Sequence, residues 1–439
     1  MVRAMQTATP KERREMGQAH RKQMARSAHG ELSIKARKAS PMVLLERASR
    51  GRVPELVKLK YELMADSPFG YFRGAVPVMA ADLAAMPNTG IISQLCGDAH
   101  VRNVGAFGAP DGRLVFDIND FDETIRGPFE WDLKRMAASL TLAGRGAGQK
   151  ETNIRKAVEE CIGRYCAQMR EFAGMPTIEV ARFQVHRISR IEPVHMALLK
   201  AERATPLHTL EQLTEPVSKK AGAERRFKTI KPMLWRVPGS TADEVIASLK
   251  PYLATLQPQR QHLLSFYRPV DVAFKVVGTG SVGLRDYCIC FEGNCAADPL
   301  FLQIKEEPAS GYASYLPKAH PPAHNGRRVA EGQRAMQIQS DPFLGWTQMG
   351  SRDYLVRQLN DHKGSIELDD LAGAGLTAFG EVCGELLARG HARSSDPLVI
   401  AGYLGSGGGF AEALGKFGAA YADQTEKDWE ELKRAQKKK

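Results

Sequence analysis

The sequence predicts an α+β protein with two lobes, one helical and one rich in strands. Apolar residues recur at helical spacing in residues 42–65, 133–172 and 371–392. Residues 270–305 are instead rich in β-branched and aromatic side chains with turns between them, which predicts three strands. The chain has 439 residues, of which 43% are hydrophobic and 25% charged. This composition is typical of a soluble globular protein, and the length suffices for two lobes.

Positive charge is concentrated at the ends of the chain. The formal net charge is +11, and residues 1–40 carry ten Lys and Arg residues against three Glu. Residues 437–439 are all Lys, so the body between the two ends is nearly neutral. A neutral body argues against a dedicated nucleic-acid groove. We expect residues 1–40 to form a solvated, partly helical, basic N-terminal extension.

Several classes of protein are excluded by simple features of the sequence. No stretch approaches the ~18 uncharged apolar residues of a membrane-spanning helix, and the N-terminus is too basic for a signal peptide. Seven cysteines without a CxxC pair predict neither a disulfide framework nor a structural zinc site. We therefore expect a cytoplasmic protein.

The first motif is an Asp with an Asn five positions later, followed by acidic residues at the end of an apolar strand. Asp98 and Asn103 form the pair, and the acidic run consists of Asp117, Asp120, Asp122 and Glu123. Phosphoryl transfer requires one carboxylate to orient or deprotonate the acceptor hydroxyl, and an Asn oxygen and a second carboxylate to hold Mg²⁺ against nucleotide phosphates. These residue types also form turns and helix caps.

The second motif is a GxGxxG sequence with Gly278, Gly280, Ser281 and Gly283. A strand follows it, then a turn, then a second strand that ends in Lys305. This order is the protein-kinase layout, in which the glycine loop covers the phosphates. The period of two places Lys305 on the opposite face from its apolar neighbours, where it can bind the α and β phosphates.

A helical Glu is expected to position that Lys, and Glu331 is the best candidate. The alternatives are that Lys305 protects the edge of a sheet and that Glu331 is a solvated helix residue.

These motifs resemble the kinase-like superfamily, particularly its aminoglycoside and choline phosphotransferases. The resemblance implies that Asp98 is the catalytic base, and that Asn103 and Asp120 hold the metal, with Asp117 competing with Asp120. It also implies that Asp132 anchors the catalytic loop inside the protein. Cys96 departs from the pattern, because the family has His at this position.

Most of residues 40–430 also resemble a bacterial family called domain of unknown function 2252. The glycine loop follows the catalytic loop along the chain, whereas ordinary kinases have the reverse order. We therefore expect a circularly permuted, bilobal kinase-like fold; the alternative is that the two motifs are unrelated matches. Its expected segments are the extension (1–40), a helical catalytic lobe (41–265), a β-rich nucleotide lobe (266–365) and C-terminal helices that complete the catalytic lobe (366–439).

The resemblance implies an ATP- and Mg²⁺-dependent phosphotransferase that acts on a hydroxyl group of a small-molecule or protein acceptor. A pseudokinase that binds ATP without transfer, and a kinase-like enzyme that transfers the nucleotidyl group, are the alternatives. Arg73 follows an aromatic run. It is expected either to bind a phosphate or an acidic substrate or to form a structural salt bridge.

Overall fold

The structure is a computed structural model, and it describes residues 7–34, 37–185, 191–218, 224–295, 297–359 and 362–437. Its mixture of helices and strands confirms the predicted α+β class. The helices are α1 (Pro10–Gln23), α2 (Pro41–Ala48), α3 (Pro54–Ala65), α4 (Pro68–Gly74), α5 (Val76–Ala85), α6 (Glu130–Gly146), α7 (Glu151–Gly174), α8 (Thr177–Arg182), α9 (Glu192–Arg203), α10 (Pro206–Leu213), α11 (Gly239–Ala247), α12 (Leu249–Leu253), α13 (Pro258–Leu264), α14 (Asn325–Met336), α15 (Gly375–Ser394), α16 (Pro397–Leu404) and α17 (Gly408–Gln436). The strands are β1 (Ile92–Leu95), β2 (Val104–Gly108), β3 (Leu114–Ile118), β4 (Ile125–Pro128), β5 (Thr214–Pro216), β6 (Arg225–Phe227), β7 (Leu234–Arg236), β8 (Arg268–Lys275), β9 (Asp286–Glu292), β10 (Pro299–Glu306), β11 (Gly345–Met349), β12 (Arg352–Gln358) and β13 (Gly364–Ser365).

The largest described sheet is antiparallel and has the strand order β11-β12-β10-β9-β8-β7. The three strands predicted in 270–305 are present as β8, β9 and β10. On β10, Leu302 and Ile304 belong to the apolar core on one face of the sheet. Lys305 therefore points to the other face, as the period of two predicted.

Both faces of this sheet are covered by chain that precedes it. The outer face of the sheet, which carries Leu302 and Ile304, shares an apolar core with Val245, Tyr252 and Leu264 of α11, α12 and α13. The inner face, which carries Lys305, shares a smaller apolar cluster with Leu210 of α10 and Phe227 of β6. Residues 239–264 therefore pack with the sheet, and the predicted lobe boundary at 265 lies too late along the chain. Helical periodicity identifies a helix but not the surface on which it packs.

The helical part of the molecule is built around α6, α7, α15 and α17, which share one large apolar core. Two small antiparallel elements lie against it: β1 pairs with β4, and β2 forms a hairpin with β3 that β13 extends. These elements carry the residues of the first motif. Within the described ranges, none of the helices combines the length and the apolar character that a membrane span requires.

The described part of residues 1–40 is partly helical, as expected, but it packs against α16 and α17 instead of remaining free in solvent. Arg21 donates hydrogen bonds to the Gly402 and Tyr403 carbonyls, and Arg26 donates to the Leu404 carbonyl. These are the last carbonyls of α16, which lack partners inside the helix. The basic residues thus cap a helix C-terminus, where positive charge is favourable.

The single helix expected over 42–65 is two helices, α2 and α3. Gly51 between them has φ of 80°, a conformation that other residues adopt only with strain. Pro54 then occupies the first turn of α3, where its missing N–H costs nothing. The break matters because it places both helices beside the glycine loop.

Candidate functional site

The loop of residues 96–103, which is the expected catalytic loop and keeps that name below, is anchored by the buried carboxylate of Asp132. One carboxylate oxygen accepts a hydrogen bond of 2.8 Å from the Cys96 backbone N–H, and the other accepts 3.0 Å from that of Gly97. His391 contacts the same carboxylate at 3.3 Å and the Tyr165 hydroxyl at 2.9 Å. This is the anchoring role that the resemblance implied for Asp132.

Gly97 allows the loop to fold tightly against the acidic run. Its φ is 84°, and a Cβ atom at this position would lie 2.2 Å from the Glu123 carbonyl oxygen. No other residue fits this position without moving the backbone. The glycine therefore sets how closely Asp98 approaches the acidic run.

Asp98 is held by the buried guanidinium of Arg135, which donates to its Oδ1 from Nε at 2.6 Å. His100 Nε2 lies 3.6 Å from the other carboxylate oxygen. Burial raises the pKa of Asp98 to about 7, although the Arg135 charge acts in the opposite direction. A carboxyl group with a pKa near neutrality is suited to accept and release a proton.

Asn103 and Asp120 lie at the base of the β2–β3 hairpin. The Asn103 amide nitrogen donates 3.1 Å to the Asp98 carbonyl oxygen, so its amide oxygen remains for another partner. The Asn119 N–H donates 3.0 Å to the Asn103 carbonyl oxygen, which ties the loop that carries Asp120 to the catalytic loop. Burial and the neighbouring Asp122 charge raise the pKa of Asp120. The two side chains line one cavity with Asp98.

Asp117 lies elsewhere, so its assignment as a metal ligand is wrong. It forms a buried ion pair with Arg389 of α15, and one oxygen also accepts 2.7 Å from the Ile118 N–H. Asp117 does not line the cavity that contains Asp120. Its position on strand β3 directs its side chain to α15, whereas Asp120 follows the end of that strand.

Lys305 is 2% exposed and forms an ion pair with Asp122 of the acidic run. Ser281 of the glycine loop donates a hydrogen bond of 3.1 Å to the same Asp122 oxygen. Burial opposes the charge of Lys305, but Asp122 and Asp120 outweigh it and raise the pKa of the ammonium group. Three segments that are distant in sequence therefore meet at this carboxylate.

Glu331 does not position Lys305, so that expectation is wrong. Its side chain is 44% exposed and forms an ion pair with Arg327 one turn earlier on α14, at 2.7 Å. The glutamate near Lys305 is Glu307, which is 2% exposed and has no hydrogen-bond partner on either oxygen among the described residues. Burial and Asp122 raise the pKa of Glu307 well above its usual range.

The glycine loop joins β8 to β9 and is held from outside the sheet. Lys60 of α3 donates to the Thr279 and Gly280 carbonyls at 3.3 and 2.9 Å. Arg52 donates 2.6 Å to the Val282 carbonyl, and the Gly283 carbonyl accepts 2.7 Å from the Val53 N–H. The helices that follow the N-terminal segment thus hold the loop above the catalytic loop.

One cavity of about 500 Å³ is lined by residues of both motifs, although not by Lys305. Its lining includes Asp98, Asn103 and Asp120 from one side and Gly278, Gly280 and Ser281 from the other. Gly283 is absent from this lining, because Arg52 packs against it. The cavity is large enough to hold a phosphate chain with an acceptor group.

The donor set fits a magnesium ion, which prefers oxygen ligands and keeps several waters. Asn103 and Asp120 supply an amide and a carboxylate oxygen to the same cavity. No group of three or more His, Cys, Asp or Glu residues in the described chain is arranged to hold a metal by itself. Two protein ligands completed by water and phosphate are consistent with both observations.

The family to which the chain belongs is shown by its match to a protein-family model. Residues 52–435 match the family described as "Uncharacterized protein conserved in bacteria (DUF2252)". The chain belongs to this family. The DUF2252 match contains both motifs, the glycine loop and the helices that hold it. Neither the comparison with curated proteins nor that with solved structures gave a match.

Sequence reasoning missed Arg135 and Lys60, it set Glu307 aside as lying beyond the end of the strand, and it assigned no separate role to Asp122. Each of the two missed cations lies within a helix that has ordinary amphipathic spacing, so no local signal distinguishes it. Asp122 belongs to the acidic run, and its distance of two residues from Asp120 is a signal that charge partners were needed nearby.

Proposed function

We propose that this DUF2252 protein is an ATP- and Mg²⁺-dependent phosphotransferase that acts on a hydroxyl group of an acceptor. The observation that carries the proposal is the meeting of the two motifs. Asp98, Asn103 and Asp120 share one cavity with the glycine loop, and Lys305 is joined to that loop through Asp122 and Ser281. Phosphoryl transfer by positioning and electrostatic stabilisation requires these groups to face one another.

A kinase-like nucleotide lobe is supported by the order of strands around the glycine loop. The loop connects β8 and β9, and the next strand, β10, carries the lysine. Protein kinases place the same kind of loop between the first two strands of the lobe and the lysine on the third strand. In the proposal, the backbone of Gly278 and Gly280 covers the nucleotide phosphates and Lys305 binds them.

A circular permutation is supported by the contact between the end of α15 and the start of β1. The Ser394 and Ser93 hydroxyls lie 3.1 Å apart, and the Gln94 N–H donates 3.3 Å to Ser394. In the unpermuted order the corresponding helix leads directly into the catalytic loop. Here the two segments are about 300 residues apart in sequence yet adjacent in space, as a permutation requires.

In the proposed reaction, the acceptor oxygen attacks the γ-phosphorus of ATP while the bond from that phosphorus to the β-bridging oxygen breaks. ADP leaves, and the hydroxyl proton passes to Asp98. Asn103 and Asp120 would hold Mg²⁺, which supplies positive charge to the phosphate oxygens. Arg135 orients Asp98 through the 2.6 Å hydrogen bond from its Nε.

The test uses the full-length protein with ATP labelled at the γ or the α position, with water as the acceptor. We expect Mg²⁺-dependent release of labelled phosphate, and Asp98→Asn to lower its rate by on the order of 10²–10⁴-fold. Affinity for ADP with Mg²⁺ should remain within about twofold, because Asp98 touches the acceptor rather than the nucleotide. Asp111→Asn, in the exposed β2–β3 turn, is the matched control. Equal losses of turnover and ADP affinity in Asp98→Asn would contradict the assigned role.

The second candidate is a module that binds ATP without transferring a group. It is favoured by one specific observation: Asp98 and Lys305 are both engaged in ion pairs, with Arg135 and Asp122. Binding of ADP without any release of label would support this candidate. Transfer of the α label to the protein or to an added acceptor would instead indicate nucleotidyl transfer.

A further inference from the structure

Arg73 is a cation of the cavity that has no partner for its buried Nε atom among the described residues. It lies in the last turn of α4, directly beneath the glycine loop. A Cβ atom built at Gly280 would be 3.4 Å from the Arg73 carbonyl oxygen. A partly buried guanidinium with an unused donor is unfavourable unless an anion binds it.

Most carboxylates of the cavity accept hydrogen bonds, whereas Glu307 accepts none on either oxygen among the described residues, and Arg73 keeps an unused donor. Asp98 accepts from Arg135, Asp122 from Lys305 and Ser281, and Glu123 from the Gly311 N–H at 2.6 Å. Arg47 and Arg50 line the same cavity as exposed side chains. The five Arg and Lys residues that line the cavity are matched by five Asp and Glu residues, so the preference for an anion rests on the unused donor of Arg73 and not on net charge.

Arg73 lines the cavity together with Asp98, whereas Lys305 does not line it. Apart from burial, the charges that most affect the Arg73 guanidinium belong to Arg102, Asp98 and Asp120, on or beside the catalytic loop. Those that most affect Lys305 belong to Asp122, Asp120 and Glu307. Arg73 lies on the side of Asp98, because Arg135 donates both to Asp98 and, at 3.1 Å, to the carbonyl oxygen of Phe72, the residue before Arg73. In the proposed function the acceptor meets Asp98 there, and Lys305 serves the nucleotide.

We propose that the acceptor carries an oxyanion, a phosphate ester or a carboxylate, beside its reacting hydroxyl, and that Arg73 binds this oxyanion. The inference rests on the proposed function. It excludes cationic acceptors such as choline and aminoglycosides, the substrates of the enzymes that the motifs resemble. Arg is suited to this task because its planar donors bind two oxygens of one oxyanion at once.

The test is calorimetric titration of the full-length protein with inorganic phosphate, in the absence of nucleotide and in the presence of saturating ADP or β,γ-imido-ATP with Mg²⁺. We expect phosphate to bind in all three conditions, and Arg73→Gln to weaken that binding about tenfold or more. Arg73→Lys should keep part of the affinity, and its unfolding temperature shows whether the site is intact. Arg113→Gln removes an exposed, distant arginine and is the control for net charge.

Each outcome decides the inference separately from the proposed function. Phosphate binding that depends on Arg73 and persists both with ADP and with β,γ-imido-ATP supports it, even if the nucleotides fail to bind and the kinase proposal falls. Binding that persists with ADP but is abolished by β,γ-imido-ATP would place Arg73 at the γ-phosphate and overturn the inference. Phosphate binding that ADP abolishes would assign Arg73 to the nucleotide and overturn the inference. Unchanged binding in Arg73→Gln, or no phosphate binding to the wild type, would also overturn it.

Discussion

At the scale of single residues, the candidate site depends on charged groups buried in pairs. Lys305 with Asp122 and Arg135 with Asp98 each join a cation to a carboxylate away from bulk water. Removing one member of such a pair leaves an uncompensated charge, which costs more than the pair itself contributes. The residues nearest the proposed chemistry are therefore also those that most affect stability.

We expect Lys305→Met to lower the free energy of unfolding by about 3 kcal/mol, because Asp122 loses its cation. Adding Asp122→Asn should recover a large part of this loss, since the remaining amide is neutral. Urea unfolding of the four proteins of this double-mutant cycle measures the coupling energy. A coupling below about 0.5 kcal/mol would mean that the two side chains do not interact in solution.

At the scale of structural elements, the catalytic loop is shaped by its contact with the acidic run rather than by its own residues alone. Gly97 and Gly112 have nearly the same positive φ, 84° and 81°. A Cβ at Gly97 would collide with the Glu123 carbonyl oxygen, whereas nothing lies within 4 Å of one at Gly112. Comparing substitutions at these two glycines therefore separates the free-energy cost of the backbone conformation from the cost of crowding by neighbouring atoms.

Gly112→Ala should cost about 1–2 kcal/mol, the usual penalty for a left-handed residue. Gly97→Ala should cost this amount and about 1–3 kcal/mol more, because the loop must move away from Glu123. It should also reduce phosphate release, since Asp98 follows Gly97 directly. Thermal unfolding and the labelled-ATP assay measure the two effects. Equal destabilisation by the two substitutions would show that the loop relaxes without cost.

At the scale of the whole molecule, buried side chains of the N-terminal segment bind it to α5 and to the C-terminal helices. Arg37 binds both Asp82 of α5 and Asp428 of α17, at 2.7 and 3.0 Å. His29 is fully buried, and its Nε2 lies 2.7 Å from the Tyr403 hydroxyl. Burial and the Lys134 charge lower the pKa of His29 to about 3, from an ordinary 6.5.

His29 should therefore make stability depend on acidity. The unfolded chain binds a proton near pH 6.5 that the folded chain binds only near pH 3. The contribution of His29 is fully present above pH 6.5, and it is lost as the pH falls toward 3, by roughly 1.4 kcal/mol for each pH unit. His29→Gln, which keeps a polar group without the titration, should flatten this dependence in urea unfolding between pH 4 and 7.

The control for this prediction is His195→Gln, because His195 is exposed on α9. That substitution should leave the pH dependence as in the wild type. If His29→Gln also leaves it unchanged, then the imidazole of His29 titrates alike in the folded and unfolded chains.

The sequence by itself determined the α+β class, the three strands that lead to Lys305 and the loop that contains Asp98 and Asn103. These features depend on side-chain periodicity, turn residues and short spacings, which act between neighbours in the chain. Family membership was likewise visible in the sequence, and the DUF2252 match confirmed it.

Only the tertiary structure decided which charges meet. Asp122, 183 residues from Lys305 in sequence, is its partner instead of Glu331. Asp117 forms an ion pair with Arg389 and is therefore not available as a metal ligand. Residues 239–264 pack against the sheet. Such choices depend on how distant elements pack, because a buried carboxylate is stabilised by whichever cation the fold brings to it. The spacing of residues along the chain does not indicate which distant residues lie close together in the folded protein.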